Sequence, residues 1–288
     1  MKTPRRIENT FKKIVDFFNE LRRDRYGLVG FAMLLSIIII ALLVPYLPIP
    51  YFNAMEYPLL SPPNTMNIFG TDNLGRDVFS RTLWGARTSL AVGFISAGLS
   101  SIIGILLGSL AGYFRGKVDD IISAITNIFL TIPAFFLSLV LLAIFGSSIY
   151  LIMLVIGLTT WPTTARVMRA QVLSVKERTF VEAAKAIGAS DFRILFTHVI
   201  PHALPPAIAY TILQVGSAIM IEAGLSYLGL GDPNYPSWGR MIYEGQTYIM
   251  SAPWISLIPG MFLVYTVLSV NFLGNSLLKI LSPKLKQT

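Results

Sequence analysis

The stretch Thr179-Phe180-Val181-Glu182-Ala183-Ala184-Lys185-Ala186-Ile187-Gly188-Ala189-Ser190 lies between two apolar runs, and it continues through Asp191 to Ile200-Pro201 and Leu204-Pro205. Thr179 and Glu182 stand at capping-box spacing, which predicts a short helix beginning there. Gly188 stands where a left-handed residue would end that helix. Beyond it, Phe192, Leu195, Phe196 and Val199 recur at the i, i+3, i+4, i+7 spacing of one helical face, which Pro201 is expected to interrupt. The segment therefore reads as helix, glycine corner, helix: a docking knuckle between hydrophobic stretches.

The rest of the chain says what the knuckle is mounted on. Of its 288 residues 54% are hydrophobic and only 13% charged, with a mean hydropathy of +0.64, too apolar for an ordinary soluble domain. Six runs come near the roughly 20 residues an α-helix needs to cross about 30 Å of hydrocarbon. They cover Tyr26 to Tyr46, Leu90 to Ala111, Ile121 to Phe145, Ile149 to Ala165, Leu204 to Leu230 and Trp254 to Leu278, the third holding Pro133, where a kink is expected. The predicted fold class is all-α: a polytopic membrane protein with six transmembrane helices. There is no cysteine, hence no disulfide framework and no thiolate metal site.

The net charge of +8 reports orientation rather than a nucleic-acid ligand, because its distribution is one-sided. Of the 23 Lys and Arg residues, 19 precede the first span, join the second to the third, fall between Arg166 and Ile200, or follow the sixth. Only Arg76, Arg81, Arg87 and Arg240 lie on the other side. The excess predicts both termini, and the knuckle, in the cytoplasm.

Three regions follow. Residues 1–25 carry Ile7, Phe11, Ile14, Val15, Phe18 and Leu21 opposite Lys12, Lys13, Arg22 and Arg23, as expected of an uncleaved amphipathic helix on the cytoplasmic side, lying in the interface or docked on cytoplasmic loops. Residues 26–89 hold the first span and a long outer loop rich in Pro and Gly, expected to form a structured cap or a partner-binding surface. Residues 90–288 are the core, including the cytoplasmic loop 171–203. The second large outer segment, Gly231 to Pro253, carries Tyr235, Trp238, Tyr243 and Tyr248, which suit interfacial anchors.

Motifs for intrinsic chemistry fail. Ala111-Gly112-Tyr113-Phe114-Arg115-Gly116-Lys117-Val118 is the nearest approach to a phosphate-binding loop, with alanine for the leading glycine and valine for the magnesium-binding Ser/Thr. Any nucleotide-driven step must come from another subunit. His198 and His202 have zinc-helix spacing, but Pro201 lies between them and no Glu follows His198, so no metal site is expected. Asp72-Asn73-Leu74-Gly75-Arg76-Asp77 lacks the alternating oxygens of a calcium loop and reads as a turn with opposed charges.

Polar residues inside the spans mark candidate function. Ser123, Asn127 and Thr131, with Thr126 beside them, punctuate the third span, and Gln214, Ser217 and Glu222 the fifth. Ser123, Asn127, Thr131, Gln214, Ser217 and Glu222 are candidates for lining a translocation pathway; Glu222 fits either that or a hydrogen bond between helices. Ser96, Ser100, Gly104, Gly108 and Gly112 form a small-residue ridge on the second span, which predicts close approach of another helix from this chain or a neighbour. A passive pore is compatible with six spans and a polar stripe alone. A membrane enzyme has almost nothing to build from.

Glu182-Ala183-Ala184, Gly188, Ile200-Pro201 and Leu204-Pro205 resemble the cytoplasmic EAA loop of permease subunits in ATP-binding-cassette importers. The run from Phe69 to Arg81, the run Gly85-Ala86-Arg87-Thr88-Ser89-Leu90, Pro236-Ser237-Trp238-Gly239 and Asn271-Phe272-Leu273-Gly274 resemble the C-type permease of the dipeptide, oligopeptide and nickel branch. The resemblance implies a type I importer permease in a prokaryotic cytoplasmic (inner) membrane. Its implied partners are a homologous B-type permease, two ATPases that carry ATP and magnesium, and an extracytoplasmic solute-binding protein, with no cofactor in this chain. It assigns ATPase coupling to Phe180, Glu182, Ala183, Ala184, Gly188 and Ala189. Arg76, Asp77 and Trp238 become candidate contacts for the solute-binding protein. Peptide is the leading cargo, with nickel complexes and oligosaccharides as alternatives within the branch.

Overall fold

A computed structural model describes residues 20–281. The amphipathic segment expected over 1–25 falls mostly outside them; Leu21, near its end, is buried in the cluster that holds Leu273 and Leu277. The described elements are α1 (Arg25–Leu43), α2 (Val78–Phe114), α3 (Gly116–Thr131), α4 (Ala134–Phe145), α5 (Ile149–Lys176), α6 (Thr179–Ala186), α7 (Asp191–Leu230), α8 (Trp238–Gly245) and α9 (Trp254–Leu281). Among the described residues no strand forms. By length and composition α1, α2, α5, α7 and α9 can each cross a membrane, while α3 and α4 are apolar and long enough only as a pair, bent by 81° between them.

The break has a local cause. Pro133 disfavours helical geometry at the residue before it, and Ile132 accordingly sits at φ −99°, ψ 123°, so the chain turns there instead of merely curving. Two other spans begin earlier than hydropathy alone suggests. Asp77 caps α2, its carboxylate accepting from Ser80 N at 2.7 Å, and carries the helix through polar residues well before Leu90. The fifth span likewise runs back to Asp191, and Pro201 does not interrupt it. Leu195–Val199 forms a π turn in which Ile200 N–H donates to Leu195 O, so the ladder has already shifted register where the proline withholds its donor.

The small-residue ridge finds its partner inside the chain. Ser96 Oγ donates to Met153 O at 3.0 Å, and Gly104, Gly108 and Gly112 lie against Trp161 to Val172 of α5. A Cβ on Gly108 would stand 2.3 Å from Ala165 O. α1 packs on α9 in the same manner, with Gly27 against Ser276 and Gly30 against Leu273. The result is a bundle with the α6 corner at one end. At the other lie α8 and a cap formed by the loop between α1 and α2.

Candidate functional site

The corner is built in three steps. First, α6 starts on Arg178, whose carbonyl accepts from Val181 N at 2.9 Å. Thr179 is already the first helical residue, so the expected capping box with Thr179 as cap does not form. Second, the helix ends on Gly188 at φ +78°, with Gly188 N donating to Lys185 O and Ala189 N to Ala184 O, the paired bonds of a Schellman turn. A Cβ at Gly188 would meet nothing within 4 Å, so glycine serves its backbone angle and not packing. Third, α7 departs from Asp191, whose carboxylate accepts from Tyr113 Oη at 2.7 Å. Lys176 Nζ donates to Tyr113 O, a carbonyl in the last turn of α2, and lies 4.9 Å from the Tyr113 ring centroid. Three spans thus meet at the corner.

The corner has two faces. Val181 and Ala184 are buried among Tyr113, Met168, Val172, Ile194 and Leu195, while Phe180 and Ala189 pack at the margin and the Phe180 ring lies 4.8 Å from that of His202. Glu182, Ala183 and Lys185 are exposed, and Ile187 is 84% exposed. Of the six expected coupling residues, Phe180, Ala184 and Ala189 therefore hold α6 to its own protein, Glu182 and Ala183 face outward, and Gly188 makes the bend. Of the face expected beyond the corner, Leu195 and Val199 are buried, with Ile194 beside them, whereas Phe192 and Phe196 are 62% and 51% exposed. With Ile187 they give the corner an apolar exterior that spacing alone misassigned.

The polar residues of the spans divide into separate places. Ser123 and Asn127 line a cavity of about 410 Å³ between α2, α3 and α5. Asp119 accepts from Arg169 Nε and Nη2 at 2.7 and 2.6 Å and from Ser123 Oγ, and Asn127 Oδ1 accepts from Arg166 at 2.8 Å. Counting Arg166 and Arg169 as loop charges hid them; α5 runs on to Lys176 and carries both into the cavity wall. Thr131 bonds back to Asn127 O near the break and lies outside that wall.

Gln214, Ser217 and Glu222 line no part of this cavity. Gln214 is buried and donates to Thr160 O at 3.2 Å, and Ser217 is exposed. Glu222, 1% exposed, accepts from Ser226 Oγ and Ser237 Oγ, each at 2.7 Å. It ties α7 to the cap residue of α8.

At the opposite end, Arg76, Asp77 and Trp238 are all buried. Arg76 reaches Asp72 at 2.6 Å and Glu244 at 2.9 Å; Arg81 reaches the same two carboxylates, and Arg240 pairs with Glu244. Burial pushes the Glu244 carboxyl up, but the charges of Arg81 and Arg76 outweigh it and hold the group below its ordinary value. Asp77 caps α2 and accepts from Asn67 Nδ2, and Trp238 donates its indole N–H to Thr82 O at 3.1 Å. In this conformation the three residues bind the cap to the bundle and offer a partner little surface. Among the described residues no three metal-ligating side chains gather, and His202 Nδ1 donates to His198 O.

The model of the binding-protein-dependent transport system inner membrane component family matches residues 104–287. The chain belongs to that family. A second model, the N-terminal transmembrane domain of oligopeptide transport permease C, matches residues 14–65 of this permease. The permease is 37% identical to the dipeptide transport system permease protein DppC of Alkalihalophilus pseudofirmus, over 93% of this chain and 89% of that one. It is 35% identical to the glutathione transport system permease protein GsiD of Pectobacterium atrosepticum (94% and 91% covered) and 33% identical to the oligopeptide transport system permease protein OppC of Bacillus subtilis (94% and 90%). An inward-facing structure of the MetNI methionine ABC transporter shares the fold, with a TM-score of 0.58 at 21% identity over 71% of this chain and 96% of its own. The permease is thus a multi-pass membrane protein with an importer permease fold.

Proposed function

We propose that this permease supplies half of the translocation pathway of an ATP-driven importer of di- and oligopeptides, with the α6 corner as the surface gripped by a separate ATPase. Its partners in this reading are a homologous B-type permease, two ATPases holding ATP and magnesium, and an extracytoplasmic solute-binding protein. The chain itself is non-catalytic and keeps both termini in the cytoplasm, in line with its charge distribution. The peptide assignment follows the printed names of the dipeptide, glutathione and oligopeptide relatives.

The observation that carries the coupling role is the two-faced corner. Its inner face is fixed to α2, α5 and α7 by Val181, Ala184 and the Tyr113–Asp191 bond, while Glu182, Ala183 and Ile187 stand free outside. A push on the outer face then moves the spans as a rigid body. In proteoliposomes containing the assembled importer, Ala183→Arg should lower ATP-driven uptake and ATPase co-purification by about 10-fold or more, the scale of one interface hot spot, without lowering the Tm of the permease. Unchanged uptake and assembly would remove the coupling role. Mass spectrometry of the ligand on the co-purified solute-binding protein tests the cargo: a peptide is expected, and a nickel complex or an oligosaccharide would replace that part of the reading.

A further inference from the structure

Four arginines lie at the end of the bundle away from the corner, and three are ion-paired: Arg76 and Arg81 with Asp72 and Glu244, and Arg240 with Glu244. Arg87 is different. It is exposed, makes no ion pair or hydrogen bond among the described residues, and has its guanidinium carbon 5.8 Å from the centroid of the Trp84 ring. The nearby acid on the loop before α8, Asp232, is 7% exposed and is occupied by Ile149 N and by Asn234.

Arg87 lines a second cavity of about 410 Å³ whose walls come from four segments, among them Tyr51 and Phe52 of the cap, Trp84 of α2, Tyr150 of α5 and Tyr235 of the loop before α8. The Tyr51 and Phe52 rings lie 5.3 and 5.5 Å from that of Trp84. These residues flank the apolar runs: Trp84 and Arg87 precede Leu90, Tyr51 follows Tyr46, and Tyr235 follows Leu230. In the orientation proposed above these positions place the cavity at the extracytoplasmic ends of the spans, and its volume falls within the range of small-molecule sites.

An indole face steadies a guanidinium without neutralising it. A steadied, uncompensated guanidinium takes a carboxylate in a bidentate pair, and the surrounding rings accept apolar side chains beside it. We propose that Arg87 and its aromatic walls form an entry site for the C-terminal carboxylate of an incoming peptide. This rests on the peptide-importer reading above and names the group by which the permease itself receives the cargo.

The test uses the assembled importer and its solute-binding protein in phosphatidylcholine vesicles, with trialanine and trialanine amide each supplied at concentrations that saturate the solute-binding protein. Arg87→Gln should slow trialanine uptake about 10-fold, the scale of a lost hydrogen bond to a charged group, and leave amide uptake unchanged, while Arg87→Lys retains part of the preference for the free acid. ATPase co-purification should be normal in both variants. If wild type imports peptides but Arg87→Gln slows both equally or neither, the entry site is wrong and the importer reading stands. If wild type imports neither peptide, the importer reading fails and the site falls with it. A loss seen only in vesicles containing phosphatidylglycerol would make a lipid phosphate the occupant and overturn the peptide assignment.

Discussion

Glu222 shows what a single residue in an apolar span is for when its neighbours are known. Oε1 accepts two serine hydroxyls, one four residues on in its own helix and one, Ser237, that also caps α8 by accepting from Arg240 N. The carboxyl group is therefore a bolt between α7 and α8. Glu222→Gln keeps an acceptor and should cost the assembled complex little in Tm. Glu222→Leu leaves two buried hydroxyls without their acceptor, and losing such bonds costs about 1 to 3 kcal/mol each. It should lower the Tm by several degrees and slow uptake more than Glu222→Gln does; scanning fluorimetry beside uptake measures both, and equal behaviour of the two variants would remove the bolt. The sequence showed that Glu222 needed a partner, since an ionisable group in hydrocarbon cannot stand alone. It did not show Ser237, which is brought there only by the turn after Leu230.

At the scale of the element, the helices obey local chemistry until packing intervenes. The Gly188 turn was legible because positive φ at a helix end is a property of the glycine itself. The face beyond it was legible only in part: period-3.6 counting places Phe192 and Phe196 with Leu195 and Val199, but only the latter two are buried, joined by Ile194. The α2 ridge was visible as a pattern of small residues, but its partner was not. α5 approaches so closely that Gly108→Ala would drive a methyl into the Ala165 carbonyl, which belongs to the backbone and cannot swing away. Overpacking of this kind costs about 1 to 3 kcal/mol. The expected result is a clear drop in Tm and in the yield of folded permease, whereas Gly98→Ala, whose Cβ would meet nothing within 4 Å in this chain, should leave the permease's own stability unchanged.

Across the whole molecule, the two ends are held by different forces. The corner end is an apolar cluster with a few polar ties, and the cap end is a buried network in which Arg76, Arg81 and Arg240 surround Asp72 and Glu244. Because the folded protein holds the Glu244 carboxyl below its unfolded value, its contribution is fully present above the ordinary carboxylate range and is lost as pH falls through the lower, folded value. Limited proteolysis of the loop between α1 and α2 should therefore show constant protection from neutral pH down to about 5 and a progressive rise in cleavage in stronger acid. Glu244→Ala, which leaves three arginines short of a counter-charge, should expose the loop at neutral pH, at a cost of about 3 kcal/mol.

The sequence by itself determined the apolar cores of the membrane-length helices and the glycine corner, because hydropathy and positive φ are carried by individual residues and their immediate neighbours. Only the tertiary structure decided that the ridge closes on α5, that Arg76, Asp77 and Trp238 are internal, and that of Arg76, Arg81, Arg87 and Arg240 it is Arg87 that lacks a carboxylate. Those outcomes depend on which distant carboxylates and carbonyls the folded chain brings within hydrogen-bonding distance, and no local pattern encodes that choice.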